Sequence, residues 1–307
     1  MTERSGTERS RVPLRVWVVL VAGLAVLGTS SILIRYAQPA PGMALAAWRT
    51  LFSVLLAAPL AWAAHRRPPN ATDAAPTGPL RGRDRFLVVA AGILLGLHLT
   101  LFVLSLYYTS VASSSVLVTT SPLFIAALGF FVLGERLGVR TVAAIVVAVA
   151  GAALLGVADA QEGVFPRAAL GNALALAASF LVAVYFLIGR AVRQRVEFWA
   201  YLLPLYGVAA VTCWAGALVS GTPLAQPWPV LGLCLLMALG PQLLGHGAFN
   251  YAVRYLPAAV LGLLSLTEPV TASALAFVLF GETPAPLALG GMALVLGAIA
   301  GVLTARD

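Results

Sequence analysis

Long, continuous apolar stretches constrain this chain more than any other feature of its sequence. About 20 helical residues, each rising about 1.5 Å, cross the ~30 Å hydrocarbon core of a bilayer, and ten stretches are long enough to do so. They do not alternate as β-barrel strands do. With 61% hydrophobic and 10% charged residues, the chain also has too few polar residues to form the water-exposed surface of a soluble globular protein. We therefore predict an all-α polytopic membrane protein with ten transmembrane helices. The predicted spans are 16–37, 43–64, 86–107, 110–133, 138–157, 168–189, 198–219, 229–252, 257–280 and 286–304.

The placement of the basic residues, all of which are arginine, predicts the orientation of these spans. Ten spans put both termini on the same side of the membrane, and sixteen of the 19 arginines then fall on that side. The opposite side has only Arg167, and Arg35 and Arg49 lie within spans. Because cytoplasmic connections are rich in Lys and Arg, we predict cytoplasmic termini. The absence of lysine, with abundant Ala and Arg, is typical of a GC-rich bacterial genome, so we expect the bacterial inner membrane.

An internal repeat relates the two halves of the chain at a shift of 147 residues. Ten of the 28 positions in 108–135 are identical to their counterparts, including a Thr-x-Pro and a Gly-Glu pair twelve residues after each proline. The two copies lie on predicted spans four and nine, which run in opposite directions because span nine is five places, an odd number, after span four. The sequence therefore predicts a 5+5 inverted-topology repeat, with a tail at 1–15 and repeats at 16–157 and 168–304. Such repeats are typical of transporters whose site lies near the bilayer midplane.

Several short motifs resemble the EamA family of the drug/metabolite transporter superfamily. They are the serine run 113–115, Thr120-Ser121-Pro122 with Gly134-Glu135-Arg136-Leu137, the second copies Thr267-Glu268-Pro269 and Gly281-Glu282, and the earlier Gly28-Thr29-Ser30 and Trp48-Arg49. The resemblance covers nearly the whole chain and implies two EamA domains. It also implies a ten-helix carrier of a superfamily in which many members export amino acids, metabolites or toxic compounds.

Glu268 is a carboxylate in the middle of a predicted span, about 16 Å deep by helical rise. An ionisable group there costs roughly 2.5–3.5 kcal/mol on insertion scales, which favours a role in proton transfer or cation recognition. A structural role is also open. Ser121-Pro122 and Glu268-Pro269 each match an N-cap residue followed by proline at the first helical position, which would restart a helix broken at Pro122 or Pro269. The two roles are compatible because broken helices build midplane sites.

Two arginines and two histidines within the spans also need an explanation. Arg49 is in the outer third of span two, where it could extend to the interface or hold a substrate carboxylate in a bidentate fork. Arg35 is close to the interface, and we expect its side chain to extend to the headgroups. His98 in span three and His246 in span eight occupy nearly matching places in the two halves. Each could be a neutral packing residue with a backbone partner, or could bind substrate or protons.

Gln242, His246 and Asn250 recur every four residues along span eight. That spacing places them on one helix face, which in lipid must turn inward, either to bond neighbouring helices or to line a cavity. We favour the cavity wall, with Pro241 loosening the helix beside it. Tyr185 in span six is a further candidate for the cavity.

The predicted function is a secondary active or facilitative transporter that exports small organic metabolites, amino acids or drugs by alternating access, with proton coupling left open. The alternative is an intramembrane enzyme that acts on a lipid or a small amphiphile. Enzyme motifs such as His-Glu-x-x-His and Gly-x-Ser-x-Gly are absent from the sequence. We expect no catalytic residue, no metal or cofactor and no nucleic-acid partner. The expected partners are a small-molecule substrate and the lipid bilayer, and a homodimer stays open.

Overall fold

The computed structural model of the chain describes residues 12–66, 80–133, 139–161, 165–256, 258–265 and 267–304. Within these ranges the fold is all-α and has no strand. The helices of the first half are α1 (Leu14–Leu27), α2 (Thr29–Ala37), α3 (Gly42–His65), α4 (Arg83–Ser105), α5 (Val111–Val118), α6 (Ser121–Leu133) and α7 (Val139–Gln161). The helices of the second half are α8 (Ala168–Arg193), α9 (Phe198–Val219), α10 (Trp228–Met237), a π-helix (Ala238–His246), α11 (Gly247–Ala252), α12 (Ala258–Ser265), α13 (Thr267–Phe280) and α14 (Pro286–Thr304).

Six continuous helical runs in the described part of the chain are long and apolar enough to cross a membrane, and each coincides with one of the predicted spans. They are Leu14–Ala37, Gly42–His65, Arg83–Ser105, Ala168–Arg193, Phe198–Val219 and Trp228–Ala252. Large apolar side chains such as Val21, Leu55 and Val211 are exposed on them. A surface of this kind is unfavourable in water and suits contact with lipid tails. Shorter apolar helices accompany the six runs.

The predicted spans 110–133 and 257–280 are each two helices rather than one. α5 and α6 form the first of these spans, and α12 and α13 form the second. Pro122 and Pro269 lie in the first turns of α6 and α13, where the missing N–H has no helical partner to lose. The same ring prevents either helix from extending backwards as a regular α-helix. The first Gly-Glu pair, at 134–135, lies outside the described residues.

The predicted span 229–252 is continuous but is not a uniform α-helix. It runs through α10, the π-helix and α11. Pro241 lies inside the π-helix and cannot donate a backbone hydrogen bond, and the wider turn accommodates its ring. Because a π-turn holds more residues than an α-turn, later side chains point in different directions from those that α-helical spacing predicts.

Helices of the two halves pack closely against each other. α4 packs along α8 and α9, α3 packs along α9, α7 packs along α14, and α1 packs along the π-helix. Gly92 and Gly96 allow α4 to approach α9, because a Cβ on Gly96 would lie 2.8 Å from the carbonyl oxygen of Ala209. Small residues at this spacing permit the backbone proximity on which helix packing in lipid depends.

Ion pairs between residues that are distant in the sequence lie at the two ends of the helix bundle. At one end, Nη2 of Arg35 lies 3.2 Å from Oε1 of Glu282, and Oε2 of Glu282 accepts a hydrogen bond from the Val111 N–H at 3.4 Å. The Arg35 side chain is only 14% exposed. Our expectation that it extends to the headgroups is therefore wrong, because a carboxylate within the protein holds it. At the other end, Nη2 of Arg195 lies 2.7 Å from Oδ1 of Asp84.

Candidate functional site

A cavity of about 50 Å³ lies between the two halves of the chain. Small-molecule sites combine an apolar wall with a few polar groups. The polar lining residues are Ser30, Arg49, His98, Thr119, Ser121, His246, Ser265 and Glu268, and the apolar ones are Leu27, Leu99, Phe102, Val118, Val182, Phe186, Pro241, Phe249 and Leu261. This composition fits a site for a small organic molecule that carries charge.

Residues at equivalent positions in the two halves line the cavity. Four pairs of lining residues are separated by the same 147 positions that relate the sequence repeats. The pairs are Phe102 with Phe249, Leu99 with His246, Val118 with Ser265, and Ser121 with Glu268. The same places in each half therefore face one shared space.

Arg49 contributes a buried positive charge to the cavity wall. Its side chain is 1% exposed, its Nη1 donates to Oγ of Ser30 at 3.3 Å, and its Nη2 donates to Oε1 of Gln242 at 2.9 Å. Both acceptors are neutral, and Nε of Arg49 is buried with no acceptor among the described residues. Of the two roles predicted for Arg49, extension to the interface is therefore wrong, and carboxylate binding stays a prediction.

Glu268 contributes a carboxylate to the same cavity from the first turn of α13. The residue is 9% exposed, and its position at a helix N-terminus favours a negative charge through the helix dipole. In the described part of the chain, its carboxylate has no hydrogen-bond donor and no ion-pair partner, and it lies more than 4.0 Å from the guanidinium nitrogens of Arg49. The cavity wall therefore holds a guanidinium and a carboxyl group that do not pair directly.

His98 and His246 face the cavity side by side, with ring centroids 5.8 Å apart. Nδ1 of His98 lies 2.8 Å from the carbonyl oxygen of Ala178. A carbonyl oxygen can only accept, so Nδ1 carries a proton and Nε2 of the neutral ring is an acceptor. His98 thus has the backbone partner expected of a packing histidine and also lines the cavity. No group of three His, Cys, Asp or Glu side chains able to hold a metal forms among the described residues.

Tyr185, Gln242 and Asn250 lie behind the cavity wall instead of lining it. The Tyr185 hydroxyl donates to Oδ1 of Asn250 at 2.6 Å, and Nδ2 of Asn250 donates to the His246 carbonyl at 2.9 Å. Gln242 accepts from Arg49, as described above. The predicted common face of Gln242, His246 and Asn250 does not line the cavity as a unit, because the π-helix changes the spacing on which that prediction rested.

Several lining residues went unnoticed in the sequence. Ser30 and Thr119 bring hydroxyl groups, and Phe102, Phe186 and Phe249 bring aromatic rings. The 147-residue shift could have revealed the matched pair Phe102 and Phe249, since the shift applies beyond the stretch where residues are identical. Among the candidate helix-breaking prolines, Pro241 lines the cavity. Pro122 and Pro269 do not, but each directly follows a lining residue, Ser121 or Glu268.

Comparison with known proteins agrees with this two-part architecture. The profile of the EamA-like transporter family matches residues 15–157 and, separately, residues 169–304. The chain belongs to the EamA-like transporter family. The two matches bear out two EamA domains, and they fall on either side of the connection between α7 and α8.

Relatives of this EamA-family chain carry transporter names. The chain is 31% identical over 205 residues to a protein of Streptantibioticus cattleyicolor named "Probable terminal-alkyne amino-acid exporter", with 62% of each chain covered. It is 28% identical over 200 residues to the uncharacterized transporter YetK of Bacillus subtilis, with 62% of this chain and 59% of the relative covered. The chain therefore spans about three fifths of the length of these two relatives.

A solved crystal structure shares the fold of the whole chain. The two structures superimpose with a TM-score of 0.63 over 95% of this chain and 97% of the other, and the sequences are 20% identical. At this identity the likeness shows the fold alone.

Proposed function

We propose that this EamA-family chain is a secondary carrier that moves small organic molecules across the bacterial inner membrane by alternating access and exports them from the cell. The observation that carries the proposal is the cavity lined by matching residues of both halves. In carriers built from inverted repeats, the site lies at the interface of the repeats, and rocking of one half against the other opens it to each side in turn.

Contacts at the two ends of the bundle support ten spans in a 5+5 inverted arrangement. Arg35 donates to the Thr109 carbonyl at 3.3 Å at one end, and Arg190 donates to the Leu256 carbonyl at 2.7 Å at the other. Thr109 and Leu256 are 147 residues apart, so equivalent carbonyls of the two halves each accept from an arginine at opposite ends of the molecule, although the two arginines are 155 positions apart. An inverted repeat produces such a recurrence, and the arginine distribution assigns the Arg190 end and both termini to the cytoplasm.

Amino acids are the first substrates to test, because the relative from Streptantibioticus is named as an amino-acid exporter. Proton antiport is a suitable energy source, since a carboxylate in the membrane interior can take up and release a proton. Glu268 is the group that we assign to this step, because it faces the cavity where substrate would bind.

Reconstitution of the purified full chain into proteoliposomes tests the carrier proposal. A thermal-shift screen over amino acids, nucleosides, vitamins and cationic drugs, including an amino acid with a terminal alkyne, selects the radiolabelled probe. We expect uptake above that of protein-free liposomes, and faster uptake when the vesicles are preloaded with the same unlabelled compound. Such counterflow requires a carrier that reorients. A protein that transports none of the screened compounds, or that transports without acceleration by preloading, would contradict the proposal.

The proton step is tested separately with Glu268→Gln. We expect a pH gradient to stimulate flux through the unmodified chain. The residual flux through the variant should not respond to the gradient. Ser121→Ala is the matched control, because Ser121 occupies the equivalent place in the first half and should leave the stimulation intact. Unchanged pH stimulation in Glu268→Gln would remove Glu268 as the coupling group and leave the carrier proposal standing.

A further inference from the structure

Three helices that line the cavity meet at the end of the bundle that the arginine distribution assigns to the outside of the cell. Ser30 and Glu268 line the cavity near the starts of α2 and α13, and Val118 lines it at the end of α5. α13 packs against both α2 and α5. It extends about 18 Å beyond Glu268 by helical rise, so its far end lies between the cavity and the outer face.

The contacts at this end join the two halves of the chain. Nη2 of Arg35, in the first half, lies 3.2 Å from Oε1 of Glu282, in the second. Oε2 of Glu282 accepts a hydrogen bond from the N–H of Val111, the first residue of α5, at 3.4 Å. The rings of Tyr36 and Phe280 also meet across the halves, with centroids 4.9 Å apart. Glu282 thus holds α13 to both α2 and α5.

Arg35 is held by its own half independently of Glu282. Its Nη1 donates to the Leu106 carbonyl at 3.0 Å, and its Nη2 donates to the Thr109 carbonyl at 3.3 Å. Both carbonyls belong to the connection between α4 and α5. If Glu282 moved away, the guanidinium would keep these acceptors, which lowers the cost of separating the pair.

Glu282 is fixed to the end of α13. Gly281 has a φ of +67°, which glycine adopts without steric cost. The Glu282 N–H donates to the Ala276 carbonyl at 3.4 Å across this turn. The carboxylate contacts of Glu282 given above are both with the first half, and its side chain is 28% exposed. A movement of α13 would therefore carry Glu282 away from Arg35 and into water.

We propose that the ion pair of Arg35 and Glu282 is the outer gate of the carrier, a contact that closes the cavity towards the outside of the cell and breaks when that side opens. In the opening step, α13 moves with Glu282 away from α2 and α5, and Arg35 stays with the carbonyls of its own half. This inference rests on the proposed function, since only a protein that opens its cavity to each side in turn needs such a gate.

Cysteine labelling in sealed vesicles of each orientation tests the gate. The reporter is Ser121→Cys, in a background where Cys213 and Cys234 are replaced by Ala, and the reagent is a membrane-impermeant maleimide. With Glu282→Gln, we expect labelling at least about threefold faster from the outer face and slower from the cytoplasmic face, because a contact made in one state only biases the equilibrium towards that state. Asp84→Asn, which removes the ion pair at the other end, is the matched control and should not accelerate labelling from the outer face.

A removable covalent link tests the gate while leaving the ion pair in place. Tyr36→Cys and Phe280→Cys are combined in the same cysteine-free background and joined by a short bis-methanethiosulfonate, which forms a disulfide with each cysteine. We expect the link to abolish counterflow and its reduction to restore counterflow. Each single-cysteine variant, treated in the same way, should keep its flux.

Three results would overturn the inference: Glu282→Gln leaves labelling from the outer face unchanged, it accelerates labelling from both faces equally, or the linked protein keeps full counterflow. Labelling requires no substrate, so it reads the gate even if the carrier proposal fails. Counterflow through the unmodified chain, with a labelling rate that does not respond to Glu282→Gln, would sink this inference alone. The predicted labelling response without counterflow would sink the carrier proposal alone.

Discussion

Ser121 and Glu268 occupy matching positions at the starts of α6 and α13 and line the same cavity, yet only Glu268 can carry a charge. Both residues suit the beginning of a helix, serine as a capping residue and glutamate through the helix dipole. The hydroxyl of Thr120, beside Ser121, is bonded to that of Ser179 at 2.9 Å. The Glu268 carboxylate has no such partner in the described part of the chain.

The two helix breaks differ in what their first residues are needed for: one only restarts a helix, and the other also presents a carboxyl group to the cavity. A serine is sufficient to restart a helix before proline, as α6 shows. A glutamate at the equivalent place in α13 must therefore be explained by what it does in the cavity, since it carries a cost in the membrane that serine does not. The two halves share a backbone plan, whereas they contribute different ionisable groups to the cavity wall, Arg49 from the first half and Glu268 from the second.

Replacing Glu268 with its counterpart from the first half should give the largest effect. Glu268→Ser keeps a suitable helix start but removes the carboxyl group, so we expect the stimulation of flux by a pH gradient to be lost. The free energy of unfolding should change by less than about 1 kcal/mol, the usual size of a helix-dipole contribution. Flux in proteoliposomes and SDS titration of the same protein measure the two quantities.

Ser121→Ala is the matched control for Glu268→Ser, and it should leave the stimulation intact because neither serine nor alanine titrates near neutral pH. Equal losses in the two variants would show that the breaks act through structure alone.

A second difference between the breaks lies in how closely the following helix turn approaches the other half. A Cβ on Gly28 would lie 2.1 Å from Oγ1 of Thr271, whose hydroxyl donates to the Thr267 and Glu268 carbonyls. The first-half counterpart of Thr271 is Phe124. Gly28→Ala should therefore lower the free energy of unfolding by about 1–3 kcal/mol, the usual cost of overpacking, and should reduce transport because α13 must shift.

Gly290→Ala on α14 is the control for Gly28→Ala, since a Cβ at Gly290 meets no atom within 4 Å. Alanine there should be neutral or stabilising by up to about 1 kcal/mol through helix propensity. A stable, fully active Gly28→Ala protein would contradict the close approach of α13 to the first half.

Removing the ion pairs at the two ends of the bundle should change the free energy of unfolding least, and the two pairs should differ in their effect. The side chains of the Arg35–Glu282 pair are 14% and 28% exposed, against 57% and 17% for Arg195–Asp84. We expect Glu282→Gln to cost about 1 kcal/mol of unfolding free energy and Asp84→Asn less than about 0.5 kcal/mol, because exposed pairs are screened by water and salt. SDS titration at low and high salt measures both, and a larger effect at Asp84 would contradict this ranking.

Hydropathy located the continuous helices well, because the thickness of a bilayer sets the length of any apolar helix that crosses it. The six long runs begin and end close to the predicted bounds. The repeat also indicated which residues would face each other, since the lining pairs Ser121 with Glu268 and Phe102 with Phe249 keep its spacing.

Side-chain directions and partners were harder to predict. α-Helical spacing predicts that Asn250 faces the cavity together with Gln242 and His246. The π-helix before Asn250 changes this spacing, and its side chain bonds to Tyr185 instead. Gln242 was expected in the wall and instead holds Arg49 from 193 positions away along the chain. No local pattern encodes such a contact, because it depends on how distant helices pack.

Cysteine labelling at Ser121 tests most directly the central claim that the two halves enclose one site open to each side of the membrane in turn. Ser121→Cys, in a background where Cys213 and Cys234 are replaced by Ala, is exposed to a membrane-impermeant maleimide in sealed vesicles of each orientation. The account predicts labelling from both faces, slowed from each face by a saturating concentration of the transported compound. Labelling from neither face, or from one face only, would contradict it.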